Sequence, residues 1–213
     1  MLIAICGGTG AVGHALTVAL VKAGHHVIIG SRDIERAKSA VAEIGLDGVA
    51  PAVNPDACRD AELVVIAVPW DAAEALARLC ADDLAGKVVI SMANAIAFID
   101  GQPQPIVTQT GSIALAVQRA APRARVVAAL HHVPARELAK GAEADVLVCG
   151  DDVEAMKVVA DLLDGVEGLE GLEAGPLALS AAVEAFTAVL LSMNRIHKGR
   201  ARVRVLGLKG RQE

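Results

Sequence analysis

Short apolar runs alternate along the chain with longer segments whose apolar residues recur at helical spacing. The runs are 2–6 (LIAIC), 26–30 (HVIIG), 62–68 (ELVVIAV), 87–93 (KVVISMA), 125–130 (RVVAAL) and 145–150 (DVLVCG). Their Val and Ile content and their bounding Gly, Pro and polar residues predict buried strands. In 11–24, Val12, Ala15, Leu16, Ala19, Leu20 and Ala23 fall on a helical face, and Gly24 suits the C-terminal cap. Asp33 predicts the N-cap of a helix running to about residue 43, and Ser112 that of a helix through Ala121. Residues 71–80 read as a further helix. In 152–164, Met156, Val159, Ala160 and Leu163 share one face, with Asp151 and Asp152 as the capping pair. Residues 179–198 predict a long helix that is apolar around most of its circumference.

Three stretches read differently. Residues 94–111, with Gln/Pro steps and no period, predict a loop, and the Gly/Glu-rich residues before 179 predict a connector. Residues 201–208 (ARVRVLGL) alternate basic and apolar side chains, as a half-buried terminal strand does. Strands alternating with helices predict an α/β fold, a Rossmann-type doubly wound parallel sheet with a small C-terminal α/β region. The expected division is a nucleotide-binding domain over 1–130 and a small region over 131–213.

Composition narrows the possible roles. Apart from histidine, the aromatic residues are Trp70, Phe98 and Phe186 alone, so the core is built from aliphatic side chains. That suits strands covered on both faces and leaves no platforms for stacking bases. A net charge of −5 likewise disfavours a nucleic-acid partner. Cys6, Cys58, Cys80 and Cys149 form no CxxC pair, which predicts neither a disulfide framework nor a metal site. The apolar stretches read as too short or too interrupted to span a membrane, and no signal-like segment opens the chain; a cytoplasmic protein is expected.

Candidate chemistry begins at 6–13, Cys-Gly-Gly-Thr-Gly-Ala-Val-Gly. Gly8, Gly10 and Gly13 match G-x-G-x-x-G in the required setting, after one strand, opening a helix, and followed by a second strand. The first glycine permits the turn, the second a close approach to a pyrophosphate, and the third helix–strand packing. Thr9 adds a hydroxyl inside the loop. The second strand then ends in Gly30-Ser31-Arg32, where an NAD-binding chain would place a carboxylate. Asp33 is better placed as a helix cap. Ser31, Arg32 and Arg36 offer a hydroxyl and two guanidinium forks, which predicts a 2′-phosphate and hence NADP(H).

These residues resemble those of the F420-dependent NADP reductases. The likeness rests on GGTGAVG (7–13), VIIGSRD (27–33), AVPWDAA (67–73), HHVPA (131–135), VLVCGDD (146–152) and EAGPL (173–177), and it spans nearly the whole chain. It implies reversible hydride transfer between NADPH and the oxidised deazaflavin coenzyme F420. It further implies that Thr9, Gly10, Ala11 and Val12 wrap the pyrophosphate and that Ser31, Arg32 and Arg36 hold the 2′-phosphate. The nicotinamide is expected between the loop after Ser91 and the HHVPA segment, with Asn94 and Ala135 as contacts and the deazaflavin stacked over it. Met92, Ala93, Asn94 and the 98–108 stretch depart from the family pattern.

No nucleophile or metal is needed for such a transfer, and no catalytic residue is expected beyond positioning. His131 reads either as touching the ring system or as a hydrogen-bonded residue of the turn. Trp70 reads equally as a cofactor contact or as a lid or core residue. The basic set Lys198, Arg200, Arg202, Arg204, Lys209 and Arg211 reads chiefly as a solvated strand face, with a hold on the anionic deazaflavin tail as the alternative. The long apolar helix predicts a homodimer contact. Two other functions remain open: an NADP-dependent reductase of the same fold acting on a flavin, imine or metal chelate, and an NADP-sensing module without turnover.

Overall fold

The computed structural model describes residues 1–141 and 143–208. Its first strands and helices are β1 (Leu2–Cys6), α1 (Ala11–Lys22), β2 (His26–Ser31), α2 (Ile34–Ile44), β3 (Val49–Val53), α3 (Asn54–Asp60), β4 (Leu63–Ile66), α4 (Trp70–Leu79) and β5 (Val88–Ser91). A hairpin, β6 (Ile96–Ile99) and β7 (Gln102–Pro105), precedes α5 (Ile113–Ala120), β8 (Arg125–Ala128), α6 (Ala135–Leu138) and β9 (Ala144–Gly150). α7 (Val153–Asp164), β10 (Leu169–Gly175), a 3₁₀ turn at Leu177–Leu179 and α8 (Ser180–His197) complete the regular elements among the described residues.

One eight-stranded sheet runs in the order β10-β9-β8-β5-β4-β1-β2-β3. The six strands from β8 to β3 are parallel, in the doubly wound arrangement. β9 then pairs antiparallel with β8, and β10 lies parallel to β9. The expected doubly wound sheet is therefore present but mixed, and it crosses residue 130 without a break.

Continuous apolar runs become strands here because both faces are covered. Along β1, Ile3 and Ile5 enter the cluster with α1, α2, α6 and α7, while Ala4 and Cys6 enter the one with α3, α4, α5 and α8. Alternation of side chains across the pleat divides each run between the two layers.

Three expectations are revised. Residues 94–111 contain the β6–β7 hairpin, and the connector before 179 contains β10. β7 (QPQP) and β10 (LEGLEAG) have no β-branched residue, so these strands rest on pairing rather than local propensity, while β6 (IAFI) is a run of only four residues beside the Gln/Pro steps. Residues 201–208 form no ladder strand; they run extended beside β9. The Asp145 N–H donates to the Val203 carbonyl (2.9 Å), and the Val205 N–H donates to the Asp145 carboxylate (2.5 Å). β9 meets β8 only at Val127–Gly150 and Ala128–Cys149, and the tail fills the open part of its edge. Arg200 pairs with Glu137 (2.5 Å) and Arg204 with Glu143 (3.2 Å), so these arginines fasten the tail rather than decorate a free strand face. Lys209 and Arg211 lie outside the described residues.

Leu177–His197 is long and apolar enough to cross a membrane by length and composition, with mean hydropathy 1.6, contrary to the expectation from the sequence. Its inner face is nonetheless polar and engaged. The buried Glu184 carboxylate accepts the N–H groups of Ile113 (2.9 Å) and Ala114 (3.1 Å) at the start of α5. Ser180 donates to Ser112 (2.7 Å), whose hydroxyl accepts the Leu115 N–H as the predicted N-cap. α8 thus completes the cap that Ser112 begins, taking up the first two N–H groups of α5.

Burial pushes the Glu184 carboxyl up from 4.5 to about 7, against the pull of its two N–H donors. The folded protein therefore holds a proton there that the unfolded chain has released, and this contribution to stability falls between about pH 4.5 and 7. Chemical denaturation across that window should show the parent losing up to about 1.4 kcal/mol per pH unit relative to Glu184→Gln. Equal pH slopes for the two proteins would contradict the burial argument.

Candidate functional site

The glycine loop opens the upper edge of the sheet. Gly7 adopts φ 81°, and a Cβ there would lie 2.7 Å from Val68 Cγ1 and 2.9 Å from the Val68 nitrogen. Gly7 and Gly8 both donate to the Gly30 carbonyl (3.0 and 3.2 Å), which ties the loop to the end of β2. A Cβ on Gly13 would fall 2.4 Å from Gly8 Cα, so α1 rests directly on the strand end. Gly10 differs: a Cβ there would meet no chain atom nearer than the Gly7 carbonyl at 4.0 Å. The space it leaves is open to a ligand.

Gly10 is the N-cap of α1, with no side-chain cap bond and no acid in the first turn. Gly10, Ala11 and Val12 are exposed and Thr9 is half-buried. An uncapped helix start presents free N–H groups and the positive end of the helix dipole, which is an anion site.

The end of β2 supplies the charge. The Asp33 carboxylate accepts the Glu35 N–H (2.9 Å) and Glu35 pairs with Lys38 (2.8 Å), so the nearby acids are engaged in α2. Ser31 is buried, and its Oγ accepts the Asp33 N–H (3.2 Å), which leaves its own O–H to donate. Arg32 and Arg36 are exposed, and neither has an ion-pair partner among the described residues.

Further along the edge, Asn94 and His131 meet. Asn94 Nδ2 donates to the His131 carbonyl (2.9 Å), so its Oδ1 faces His131 Nδ1 (3.1 Å). That arrangement puts the ring proton on Nδ1 and leaves Nε2 as a bare acceptor. Nε2 is buried and has no partner, in a residue only 4% exposed. Burial, with a smaller contribution from His132, pushes the imidazole down to about 3, so it stays neutral at physiological pH. Thr187 Oγ1 on α8 donates to the same carbonyl (3.0 Å). His132 turns elsewhere and accepts the Leu147 N–H (3.3 Å) through Nε2.

Trp70 and Ala135 are the first residues of α4 and α6, both half-buried, and neither hydrogen-bonds to the Asn94–His131 pair. Among the described residues no group of three or more His, Cys, Asp and Glu is arranged to hold a metal. Thr187 was missed as an individual residue. Its signal was present: Ser180, Glu184 and Thr187 form a polar stripe at helical spacing inside an otherwise apolar helix.

An open cradle over Gly10, an uncapped α1, an acid-free cationic strand end and an orphaned imidazole acceptor together fit an NADP-type dinucleotide. Fold and site define a doubly wound, dinucleotide-dependent oxidoreductase. The family model described as NADP oxidoreductase, coenzyme F420-dependent, matches residues 2–95. The F420-dependent NADP reductase of Methanocaldococcus jannaschii is 32% identical over 219 residues, covering 94% of this chain and 95% of that protein. The corresponding reductase of Methanothermobacter marburgensis is 30% identical, covering 91% and 92%. A crystal structure from Arthrobacter sp. FB24, provisionally named an F420-dependent NADP reductase, superposes with TM-score 0.84 at 27% identity, covering 95% of this chain and 99% of that one. An imine reductase from Streptomyces aurantiacus shares the fold at TM-score 0.66 and 18% identity, covering 92% of this chain and 64% of its own. The chain belongs to the F420-dependent NADP reductases.

Two alanine substitutions separate the glycine roles. Gly13→Ala should destabilise the protein by about 1–3 kcal/mol, because α1 must move off β1. Gly10→Ala should cost under about 1 kcal/mol in thermal unfolding yet weaken NADP+ binding at least about tenfold by calorimetry. Normal NADP+ affinity in Gly10→Ala would contradict the cradle.

Proposed function

We propose that the upper edge of the sheet binds NADP(H) and F420 side by side for reversible hydride transfer between them. The observation that carries this reading is the pair of unpartnered arginines, Arg32 and Arg36, beside an uncapped α1 at a strand end whose acids are already engaged. Thr9, Gly10, Ala11 and Val12 receive the pyrophosphate, largely through backbone N–H groups. Ser31, Arg32 and Arg36 take the 2′-phosphate, with the guanidinium groups supplying bidentate donors. Asn94, Ala135 and Trp70 border the nicotinamide end. The nicotinamide supplies or takes the hydride, and that chemistry belongs to the coenzymes.

The protein's part is to place and hold. His131 has no proton to give at neutral pH from Nε2; it accepts a hydrogen bond from an N–H of the bound rings. Thr187 and Asn94 fix its orientation from behind. Residues after about 130 contribute the deazaflavin side. Four free, buried thiols suit a reducing cytoplasm.

The homodimer contact is placed on the outer face of α8. Phe186, Val189, Met193 and Ile196 are 40%, 50%, 43% and 71% exposed and recur at helical spacing opposite the Ser180–Glu184–Thr187 stripe. Val189→Glu with Ile196→Glu should sediment as a monomer that still binds NADP+; a parent that already sediments as a monomer would contradict the contact.

Mixed with NADPH and the protein, oxidised F420 should lose its visible absorbance. Arg32→Asp should raise the KM for NADPH at least about tenfold and that for NADH by much less. NADPH binding without bleaching would favour a sensing module. Turnover of only a flavin or an imine would favour the other reductases of this fold.

A further inference from the structure

Beyond the residues already placed around the cofactor, one buried amide oxygen at the edge of the site has no partner among the described residues. Asn54 is the first residue of α3, and Val53, its predecessor, lies in register with Ser31 at the end of β2. Asn54 is 4% exposed. Its Oδ1 is buried without a hydrogen bond among the described residues. It does not cap α3, whose N-cap is Val53. Burying an amide oxygen without a donor costs free energy, and such atoms are uncommon unless a ligand or water completes them.

The position of the amide is defined by Gly30. A Cβ built on Gly30 would lie 2.8 Å from Asn54 Oδ1. Gly30 has no left-handed φ to demand glycine. The side chain is absent there because the amide occupies its place. The Gly30 carbonyl in turn receives the N–H groups of Gly7 and Gly8, and Ser31 and Arg32 follow directly. Asn54 therefore lies beside the strand end that both tethers the glycine loop and carries the residues assigned to the 2′-phosphate. The part of NADP(H) that joins the pyrophosphate to the 2′-phosphate is the adenosine ribose, whose 3′-hydroxyl both donates and accepts hydrogen bonds. A primary amide complements it in both respects.

We propose that Asn54 binds the adenosine ribose of NADP(H), its Oδ1 accepting from the 3′-hydroxyl. This rests on the NADP reading of the site. It adds a contact that reads the sugar rather than its phosphates.

Calorimetry with adenosine 2′,5′-bisphosphate and its 3′-deoxy analogue tests the assignment without turnover. The parent should bind the hydroxylated ligand about tenfold more tightly than the deoxy one. Asn54→Ala should bind the two alike, with an affinity near that of the parent for the deoxy ligand. Its unliganded melting temperature should not fall, because an unsatisfied amide oxygen has been removed. A variant that keeps the preference of the parent, or that weakens both ligands equally and melts lower, overturns the proposal. If Asn54→Ala does not fold, the parent alone still decides: equal affinity for the two ligands overturns it. A parent that binds neither bisphosphate nor NADP+ removes the NADP reading itself, a distinct failure.

Discussion

The contact between Gly13 and Gly8 is the constraint on which the site depends. Neither residue can carry a side chain: a Cβ on Gly13 would fall on the Gly8 backbone, and one on Gly8 would lie 2.8 Å from the Ile5 carbonyl oxygen. With both bare, α1 sits directly on the end of β1 and aims its free N–H groups over the edge of the sheet. The same closeness explains the single open position in the loop, Gly10. The chain fills every other gap around these glycines with its own atoms and leaves that one for a ligand. The charge of the site follows from the next strand. Asp33 and Glu35 are consumed by α2, so Arg32 and Arg36 stand exposed with no ion-pair partner among the described residues.

The other half of the site is held from behind by α8. One polar stripe on this apolar helix makes two separate attachments. Glu184 supplies the carboxylate for the start of α5, and Thr187 braces the His131 carbonyl to which Asn94 also donates. A neutral, buried imidazole results, with one nitrogen committed and the other free to accept. This suits a reaction in which the coenzymes carry the chemistry and the protein must mainly keep two flat rings in place. The outer face of the same helix is apolar and exposed, so any second copy docking there would also stiffen the brace.

Legibility in the sequence followed the range of the interactions. The glycine loop, the Arg32 strand end, the Asp33 cap and the Ser112 cap are local, and each was readable from a few neighbouring residues. β10 and the β6–β7 hairpin were not: the Gly, Glu, Gln and Pro of β10 and β7 have low strand propensity, so their partners hold them extended, and β6 is a run of only four residues. β3 and α3 carry too weak a pattern in VAPAVNPDACRD to stand out. The alternation in 201–208 was real, but it records a tail fastened by Asp145, Glu137 and Glu143 rather than a ladder strand. The Thr187–His131–Asn94 junction joins three distant segments and is invisible to any local reading. The unpaired amide oxygen of Asn54 emerges only once β2 and β3 are side by side.

The central claim is that the open N-terminus of α1 and the cationic end of β2 together form the NADP site. A crystal structure of the protein with NADP+ tests it most directly. The account predicts the pyrophosphate over Gly10, within hydrogen-bond reach of the Ala11 and Val12 N–H groups, and the 2′-phosphate between Ser31 and Arg32. A dinucleotide bound elsewhere, or one whose 2′-phosphate faces solvent away from Arg32, would contradict it.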